Sequence, residues 1–517
     1  MSKVSSFDFS DLFVLDLANN HQGDKSHAIN IINKLSNLAL KHNIRAAVKF
    51  QFRELNSFIH PSHRQDKSNK HIGRFLSTEL DIPTFRKLSD HAKDNSLIRI
   101  CTPFDEASVD SIIDLGIEII KVASCSAKDW PLLEKIAESG LPIIFSTGGL
   151  SIPDIDNVVS FFEHKACDFA IMHCVSVYPT PPEQCNLVQI DVLKKRYPGI
   201  TIGWSTHEDP DNYQAVQIAY ALGARMFERH VGISNEKYQL NAYSSDPSQL
   251  DKWVTSYKLA KSMYGSEVRT STEVELKSID SLSRGVFAKE RIEKGTTITR
   301  DQIYFAMPYQ EGQLTSGQWK KDIITSENIE VDKPVILEHL ELPEKLAVNI
   351  LKSAIHEVRA ILNQANIALS SEFEVEISHH YGIKNFRDIG ALIITCINRE
   401  YCKKLLVQLP NQKHPNHYHK LKEETFQVLS GTLDIVVDGH KKSLIPGDCC
   451  LVLPGVWHSF STATGVVVEE VSTTHYKDDS YYQDSSINKM ESHERKTKVD
   501  HWGRYQMQED NWGRASY

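Results

Sequence analysis

Between residues 13 and 232 the chain repeats one pattern eight times: a short β-rich run, apolar at its start and polar or ionisable at its end, then a longer amphipathic stretch. The runs are "FVLDLANNH", "RAAVKFQ", "IRICTPFD", "EIIKVASCS", "PIIFSTGG", "DFAIMHCVS", "TIGWSTHE" and "MFERHVG". Strands alternating with helix-length segments make parallel βα units, and eight of them in about 220 residues match a (β/α)₈ TIM barrel. Active sites of such barrels lie at the carboxyl ends of the strands. Asp16, Asn20, His21, Lys49, Gln51, Thr102, Lys121, Ser124, Ser146, Thr147, Ser176, Ser205, His207 and His230 all fall there and are expected to share one mouth.

The barrel takes up residues 1–270 of a multidomain chain of 517. Residues 276–342, which include "SRGVFAKERIEKGTTITRDQIYFAMP", read as a small unit of short strands, too small for a deep pocket. Residues 343–370 have apolar positions near 3.6 spacing and predict a connecting helix. Residues 371–475 carry the strand-like runs "KKLLVQLP", "TFQVLSG", "LDIVVDG", "CCLVLPG" and "VVVEEVS", which predict a small antiparallel β-barrel. Residues 476–517 read as a polar tail, most of it mobile, whose tyrosines could pack on the β-barrel. With 41% hydrophobic residues, 24% charged residues and a formal net charge of -9, the composition gives no global attraction to nucleic acid or to an anionic membrane. No apolar run reaches the roughly 18–20 residues of a membrane span, and the nine cysteines lack CxxC spacing, so a cytoplasmic protein is expected.

Lys121 stands in the middle of an apolar run, where an unpaired ammonium costs several kcal/mol, so an anion is expected beside it. Lys49 faces the same mouth, with hydroxyls from Thr102, Ser124, Ser146 and Ser205. Two ammoniums among hydroxyl donors suit a phosphate or phosphocarboxylate better than a neutral sugar, because charge-assisted hydrogen bonds are the stronger kind. His207 and His230 end neighbouring strands and could share one ion, an incomplete set that leaves room for a substrate oxygen or water. Two satisfied core histidines are the alternative.

In order and spacing, "NNHQG", "AVKFQ", "TPFD", "KVAS", "STGG", "HCVSVYPTPPE", "GWSTHE" and "FERH" resemble the sialic acid (N-acetylneuraminate) synthase family of phosphoenolpyruvate-condensing barrels. Residues 276–342 are similar to the small antifreeze-like (SAF) domain that follows the barrel in that family. The resemblance implies that Lys49, Thr102, Lys121, Ser124, Ser146 and Ser205 hold phosphoenolpyruvate, with Lys121 central to catalysis. It also implies that His207 and His230 hold a divalent ion, Mn or Mg, and that Asp16, Asn20, Gln51, Ser176, Tyr178 and Asn241 line the substrate site. In such enzymes C3 of phosphoenolpyruvate attacks the aldehyde of an open-chain sugar, water adds at C2, and phosphate leaves by C–O cleavage. The family implies a homodimer in which the SAF domain caps the partner's barrel. Five positions depart from its pattern: Asp16, Ser126, Ser176 and Asn241 replace the usual Glu, Glu, Asn and acidic residue, and Met307 falls near the arginine offered to an N-acetyl group. The departures gather at acceptor positions and point to a different aldose.

In the third domain, His417, His419 and Glu424 followed by Gly431 have the HxH(x)₄E(x)₆G spacing of the first cupin motif, and Gly447 to His458 resembles the second, with Leu453 and Thr462 as departures. Alternation on a strand turns His417 and His419 to one side, and Glu424 and His458 would complete a cage for Mn, Fe or Zn. Lys422, in H-x-H-x-x-K-x-E, resembles a residue of D-lyxose isomerase-type cupins, where it would carry a proton or hold a sugar hydroxyl; a surface lysine is the other reading. The resulting expectation is a bifunctional enzyme whose cupin isomerises a sugar and whose barrel condenses the aldose with phosphoenolpyruvate. The alternatives are a Schiff-base aldolase using Lys121, and an active synthase with a sugar-binding, non-catalytic cupin.

Overall fold

The computed structural model describes residues 7–64, 69–266, 269–344, 347–476, 478–500 and 502. The chain divides into two compact units, Met1–Arg269 and Thr270–Tyr517. In the first, β1 (Leu12–Asp16), β2 (Arg45–Phe52), β3 (Ile98–Pro103), β4 (Ile119–Val122), β5 (Ile143–Ser146), β6 (Phe169–Cys174), β7 (Ile202–Thr206) and β8 (Met226–His230) close a parallel barrel in chain order.

Period-two alternation divides the strand residues between two cores. Leu12, Val14, Ala47, Ile100, Ile119, Ile144, Ala170, Met172 and Met226 pack together as the filling of the barrel. Their neighbours in sequence, such as Phe13, Val48, Cys101, Ile120, Phe145 and Phe227, join the larger core shared with the surrounding helices. Gly203 marks a close approach, since a Cβ there would lie 2.8 Å from the Met226 carbonyl oxygen. Two residues further along, the same inward side of every strand but β6, which ends on Cys174, turns polar, giving Asp16, Lys49, Thr102, Lys121, Ser146, Ser205 and Glu228. The apolar plug thus carries a polar ring.

The helices that clamp the strands are terminated locally. In Lys25–His42, the side chain of Asp24 accepts hydrogen bonds from the Ser26 and His27 amides, and Asn43 closes the helix at φ 45°. Ile31, Ile32, Leu35 and Leu38 form its buried stripe.

In the second unit, β9 (Gly285–Ala288) pairs with β10 (Ile303–Ala306) and β11 (Ile324–Thr325) with β12 (Leu340–Glu341) around a small core that includes Val286, Ile298, Leu314, Ile323 and Val335. The helix Ala347–Gln364 buries Leu351, Ala354, Ile355, Val358 and Leu362 against Val375, Ile377, Leu392 and Ile394, so it packs as part of the cupin.

The cupin strands are β13 (Glu374–Ser378), β14 (Ala391–Asn398), β15 (Tyr401–Gln408), β16 (Lys413–Tyr418), β17 (Glu424–Gly431), β18 (Leu433–Val437), β19 (His440–Leu444), β20 (Cys449–Val452), β21 (His458–Ser461), β22 (Val466–Thr473), β23 (Tyr481–Tyr482) and β24 (Lys496–Asp500). They form a seven-stranded sheet, β20-β17-β22-β15-β14-β13-β24, and a five-stranded sheet, β19-β18-β21-β16-β23. The segment read as a mobile tail therefore supplies β23 to one sheet and the edge strand β24 to the other, while residues 503–517 lie outside the described residues. Its polarity misleads because an edge strand buries little: Val499 packs inward between charged neighbours, and Lys496 pairs with Glu376 on β13 at 2.9 Å. No helix among the described residues is long and apolar enough to cross a membrane.

Candidate functional sites

The barrel mouth is built on lateral register. Asp16 lies beside Lys49 of β2 on one flank and His230 of β8 on the other. Lys49 Nζ sits 3.0 Å from Asp16 Oδ2 and 2.9 Å from Glu228 Oε1, and Ser205 donates to the same Glu228 oxygen at 3.1 Å. Lys121 Nζ donates to Ser146 Oγ and lies 3.6 Å from Glu228 Oε2. The anion expected beside Lys121 is thus in part the protein's own: Glu228 stands between the two lysines. Sequence reading passed over it within "FERH", although period two puts Glu228 and His230 on one face of β8.

The two lysines differ. Burial opposes both charges, but two carboxylates at contact distance hold Lys49 well above the ordinary lysine range, while Lys121, with one carboxylate farther away, is pushed down by its burial. Burial would raise the Glu228 carboxyl, yet Lys121 and Lys49 hold it well below the usual carboxylate range. Two ammoniums face two carboxylates, so the expected cationic cup is locally balanced.

The remaining expected residues are placed around this ring. Thr102 Oγ1 is buried without a hydrogen-bond partner among the described residues. Ser124 Oγ accepts from the Gly148 amide at 3.0 Å, and a Cβ on Gly148 would strike Ser124 Oγ and Ser176 Oγ at 2.7 and 2.2 Å. Gln51 donates to Asp16 at 3.5 Å. Asn20 donates to Val231 O at 2.8 Å and accepts from Asn241 at 3.4 Å. Ser176 and Tyr178 are exposed beyond β6, with the Tyr178 ring 4.2 Å from that of His207. Ser126 is buried, and Met307 is exposed in the second unit.

The His207 and His230 rings are 5.2 Å apart. His207 Nδ1 is tied to Val175 O at 3.0 Å, and His230 Nε2 lies 3.3 Å from Asp16 Oδ2. His230 Nδ1 is buried without a partner among the described residues, and burial lowers the affinity of this imidazole for a proton. Two imidazoles with a carboxylate beside them fit a divalent ion.

In the cupin, the candidate ligand atoms of His417, His419 and His458 all lie within 4.8 Å of one another. Each Nδ1 is turned to a backbone carbonyl, of Pro415, Asp479 and Val456 respectively, leaving Nε2 to face the centre. Glu424 lies 3.4 Å from His419 Nε2 and 3.2 Å from His458 Nε2. This donor set fits a metal, since a hydrogen bond at one ring nitrogen fixes the other as a ligand. Lys422 is buried, not on the surface, and contacts Glu424 together with Glu470, the latter at 3.1 Å. Against burial, these carboxylates hold its ammonium well above the ordinary lysine range. His417, His419, Lys422, Glu424 and Glu470 line a cavity of about 990 Å³, along with Lys404 and His475.

Two further histidines escaped sequence reading. His414 and His380 are buried with their Nε2 atoms 3.0 Å apart, and the His414 ring is 4.6 Å from that of His417. Strict alternation puts residues 414 and 417 on opposite faces, but a register shift on β16 between them brings both inward.

Residues 39–269 match the NeuB family, and residues 405–471 match the cupin domain. An uncharacterised protein of Methanocaldococcus jannaschii is 33% identical over 291 residues, 56% of this chain and 82% of that one. The chain belongs to the NeuB family. Among relatives of this NeuB chain, the N-acetylneuraminate-9-phosphate synthase of Mus musculus is 28% identical over 342 residues, 64% of this chain and 93% of its own. The N,N'-diacetyllegionaminic acid synthase of Campylobacter jejuni is 27% identical over 340 residues, 61% and 99%. A crystal structure assigned to spore coat polysaccharide biosynthesis protein E of Chromobacterium violaceum shares 42% identity with the NeuB chain at a TM-score of 0.61, covering 64% of this chain and all of that one.

Proposed function

We propose that the barrel condenses phosphoenolpyruvate with an open-chain aldose to give a 3-deoxy-2-ulosonic acid of the nonulosonic type and phosphate, and that the cupin isomerises the sugar precursor. The observation that carries the reading is a set of incomplete polar groups in the mouth: Thr102 Oγ1 and His230 Nδ1, buried without partners beside Lys49, Glu228 and Lys121. Such orphans at converging strand ends are what an absent ligand completes. The relatives named as synthases of N-acetylneuraminate 9-phosphate and diacetyllegionaminic acid support the same reaction class.

Lys49, fixed as a cation, steadies the substrate's negative charge. Lys121 donates to the phosphate with Ser146 and Ser205 beside it and, with its lowered proton affinity, is suited to pass a proton to the departing oxygen. C3 bonds to the aldehyde carbon, water adds at C2, and the bond between C2 and the phosphate oxygen breaks. In the cupin, Lys422 stays protonated and so hydrogen-bonds a sugar hydroxyl, which leaves Glu470 as the carboxylate placed to move the proton between C1 and C2. Divalent ions, Mn or Mg at His207 and His230 and Mn, Fe or Zn at His417, His419, Glu424 and His458, would supply Lewis-acid polarisation of a carbonyl oxygen and hold sugar oxygens. The SAF-like segment 276–342 caps the barrel of a second copy in a homodimer.

Phosphate release from phosphoenolpyruvate, followed over a panel of aldoses and ketoses with Mn or Mg, tests the reading. Release with an aldose, and release with the matching ketose only while the cupin is intact, is expected. No release with any sugar overturns it.

A further inference from the structure

Lys49, Gln51 and Arg53 follow one another at alternate positions of β2 and just past it, so they climb the same inward face over about 13 Å. Lys49 and Lys121 are answered by Asp16 and Glu228. Arg53, at the top of the row, feels the charges of Asp16 and Asp105 but forms no ion pair among the described residues.

Its guanidinium is half-buried and sandwiched, with Cζ 3.6 Å from the centroid of the Phe104 ring and 4.0 Å from that of Phe75. One Nη2 hydrogen goes to Gln51 Oε1 at 3.1 Å, while Nε is buried without a partner among the described residues. The nearby carboxylates are engaged elsewhere. Asp105 caps the helix Glu106–Asp114, accepting from Ser108 N at 2.8 Å and from Glu54 N at 2.9 Å. Asp16 is taken by Lys49, His230 and the Ala18 amide. Ring faces attract a cation without neutralising it, and stacking leaves the guanidinium edge free to donate in its own plane. Burial accordingly weakens this guanidinium's hold on its proton, lowering its pKa to about 10.

A second cation is the sequence neighbour of the stacked Phe75. Arg74 precedes Phe75 on the helix Lys70–Ser77, forms no ion pair among the described residues, and its charge acts on His21, His230 and Tyr243 of the mouth.

Resting on the condensation reading, we infer that Arg53, with Arg74 as a second cation, forms an anion subsite on the barrel rim that receives the terminal phosphate of a phosphorylated aldose acceptor. Two guanidiniums that form no ion pair match a phosphate dianion better than a single carboxylate, and the planar fork suits its oxygens. The climb from Lys49 to Arg53 is long enough to set a three-carbon acid at the bottom and an acyclic sugar chain above it. Subsite and reaction centre thus lie at opposite ends of one substrate.

The test is isothermal titration of the full chain, incubated with phosphoenolpyruvate and Mn, using acyclic probes without an aldehyde: D-glucitol 6-phosphate, D-glucitol and D-gluconate. Wild type is expected to bind the phosphate about 30-fold more tightly than glucitol, the size of a charge-assisted contact. Arg53→Gln should erase most of that ratio, Arg74→Gln should reduce it, and Arg53→Lys should restore part of it. Equal binding of glucitol and its phosphate by wild type needs no variant to fold and overturns the subsite, as does an unchanged ratio in Arg53→Gln. Gluconate binding as tightly as the phosphate overturns the assignment to phosphate. Aldoses and their 6-phosphates, assayed for phosphate release from phosphoenolpyruvate, separate the two claims: a preserved binding ratio without release sinks the condensation and leaves the subsite standing.

Discussion

In the barrel mouth, two ammoniums and two carboxylates arrive on four strand ends and hold one another, whereas in the cupin three imidazoles from two adjacent strands are each held by a backbone carbonyl. The first arrangement depends on every member, because a charge whose partner is removed stays buried and uncompensated. The second is tolerant, since the backbone keeps each ring in place when another is lost. Charge-held and backbone-held sites should therefore fail differently.

The largest effect is expected at Lys49. Lys49→Met strands Asp16 and Glu228, so it should abolish phosphate release and cost about 3–5 kcal/mol in denaturant unfolding. Adding Glu228→Gln should return part of the stability and none of the turnover. If Lys49→Met unfolds at the wild-type midpoint, the mutual-support account of the mouth is wrong. In the cupin the reverse pattern is expected: His419→Ala should lower metal content and sugar isomerisation, read by deuterium exchange at C1 and C2, by at least about 100-fold. Unfolding of the metal-free protein should move little, and condensation of a ready-made aldose should persist.

A smaller effect separates the buried imidazole of His21 from both sets. Burial, then repulsion from His27 and Arg74, lowers its pKa to about 4. The folded state keeps it neutral while the unfolded chain takes up a proton below about pH 6.5. Its contribution is thus complete above pH 6.5 and is lost as pH falls towards 4, by at most about 3 kcal/mol. His21→Asn should flatten the unfolding free energy over that window, and an unchanged slope would assign the acid sensitivity elsewhere. The smallest expected effect is none: borohydride with pyruvate should leave Lys121 unmodified by mass spectrometry, because its ammonium is engaged by Ser146 and Glu228. A trapped adduct there would turn the barrel into a Schiff-base aldolase.

The barrel was legible because parallel strands read the same way each time, apolar below and polar at the end, so Lys49, Lys121, His207 and His230 could be placed by parity alone. Glu228 obeys the same parity, but it sits one step inside its strand, where the eye takes His230 as the polar end. The cupin triad was legible from spacing. His414 was hidden for a physical reason, since the bulge on β16 breaks the alternation that reading relies on. His380 lies 34 residues away from His414 and carries no local signal of their contact. The strand "KTKVD" was unreadable because one apolar residue among charged ones is a solvent-facing pattern as much as an edge strand. Arg53 needed three dimensions, because its two aromatic neighbours come from separate segments.

That last strand carries an implication for handling the molecule. β24 occupies the outer row of donors and acceptors of β13, from Glu374 to Ser378. Proteolytic clipping ahead of Lys496 would bare that row beside Val375 and Ile377, a template on which a stranger's backbone can zip. β24 thus works as a hem, and fraying it should show first as self-association in scattering measurements, before phosphate release from phosphoenolpyruvate declines.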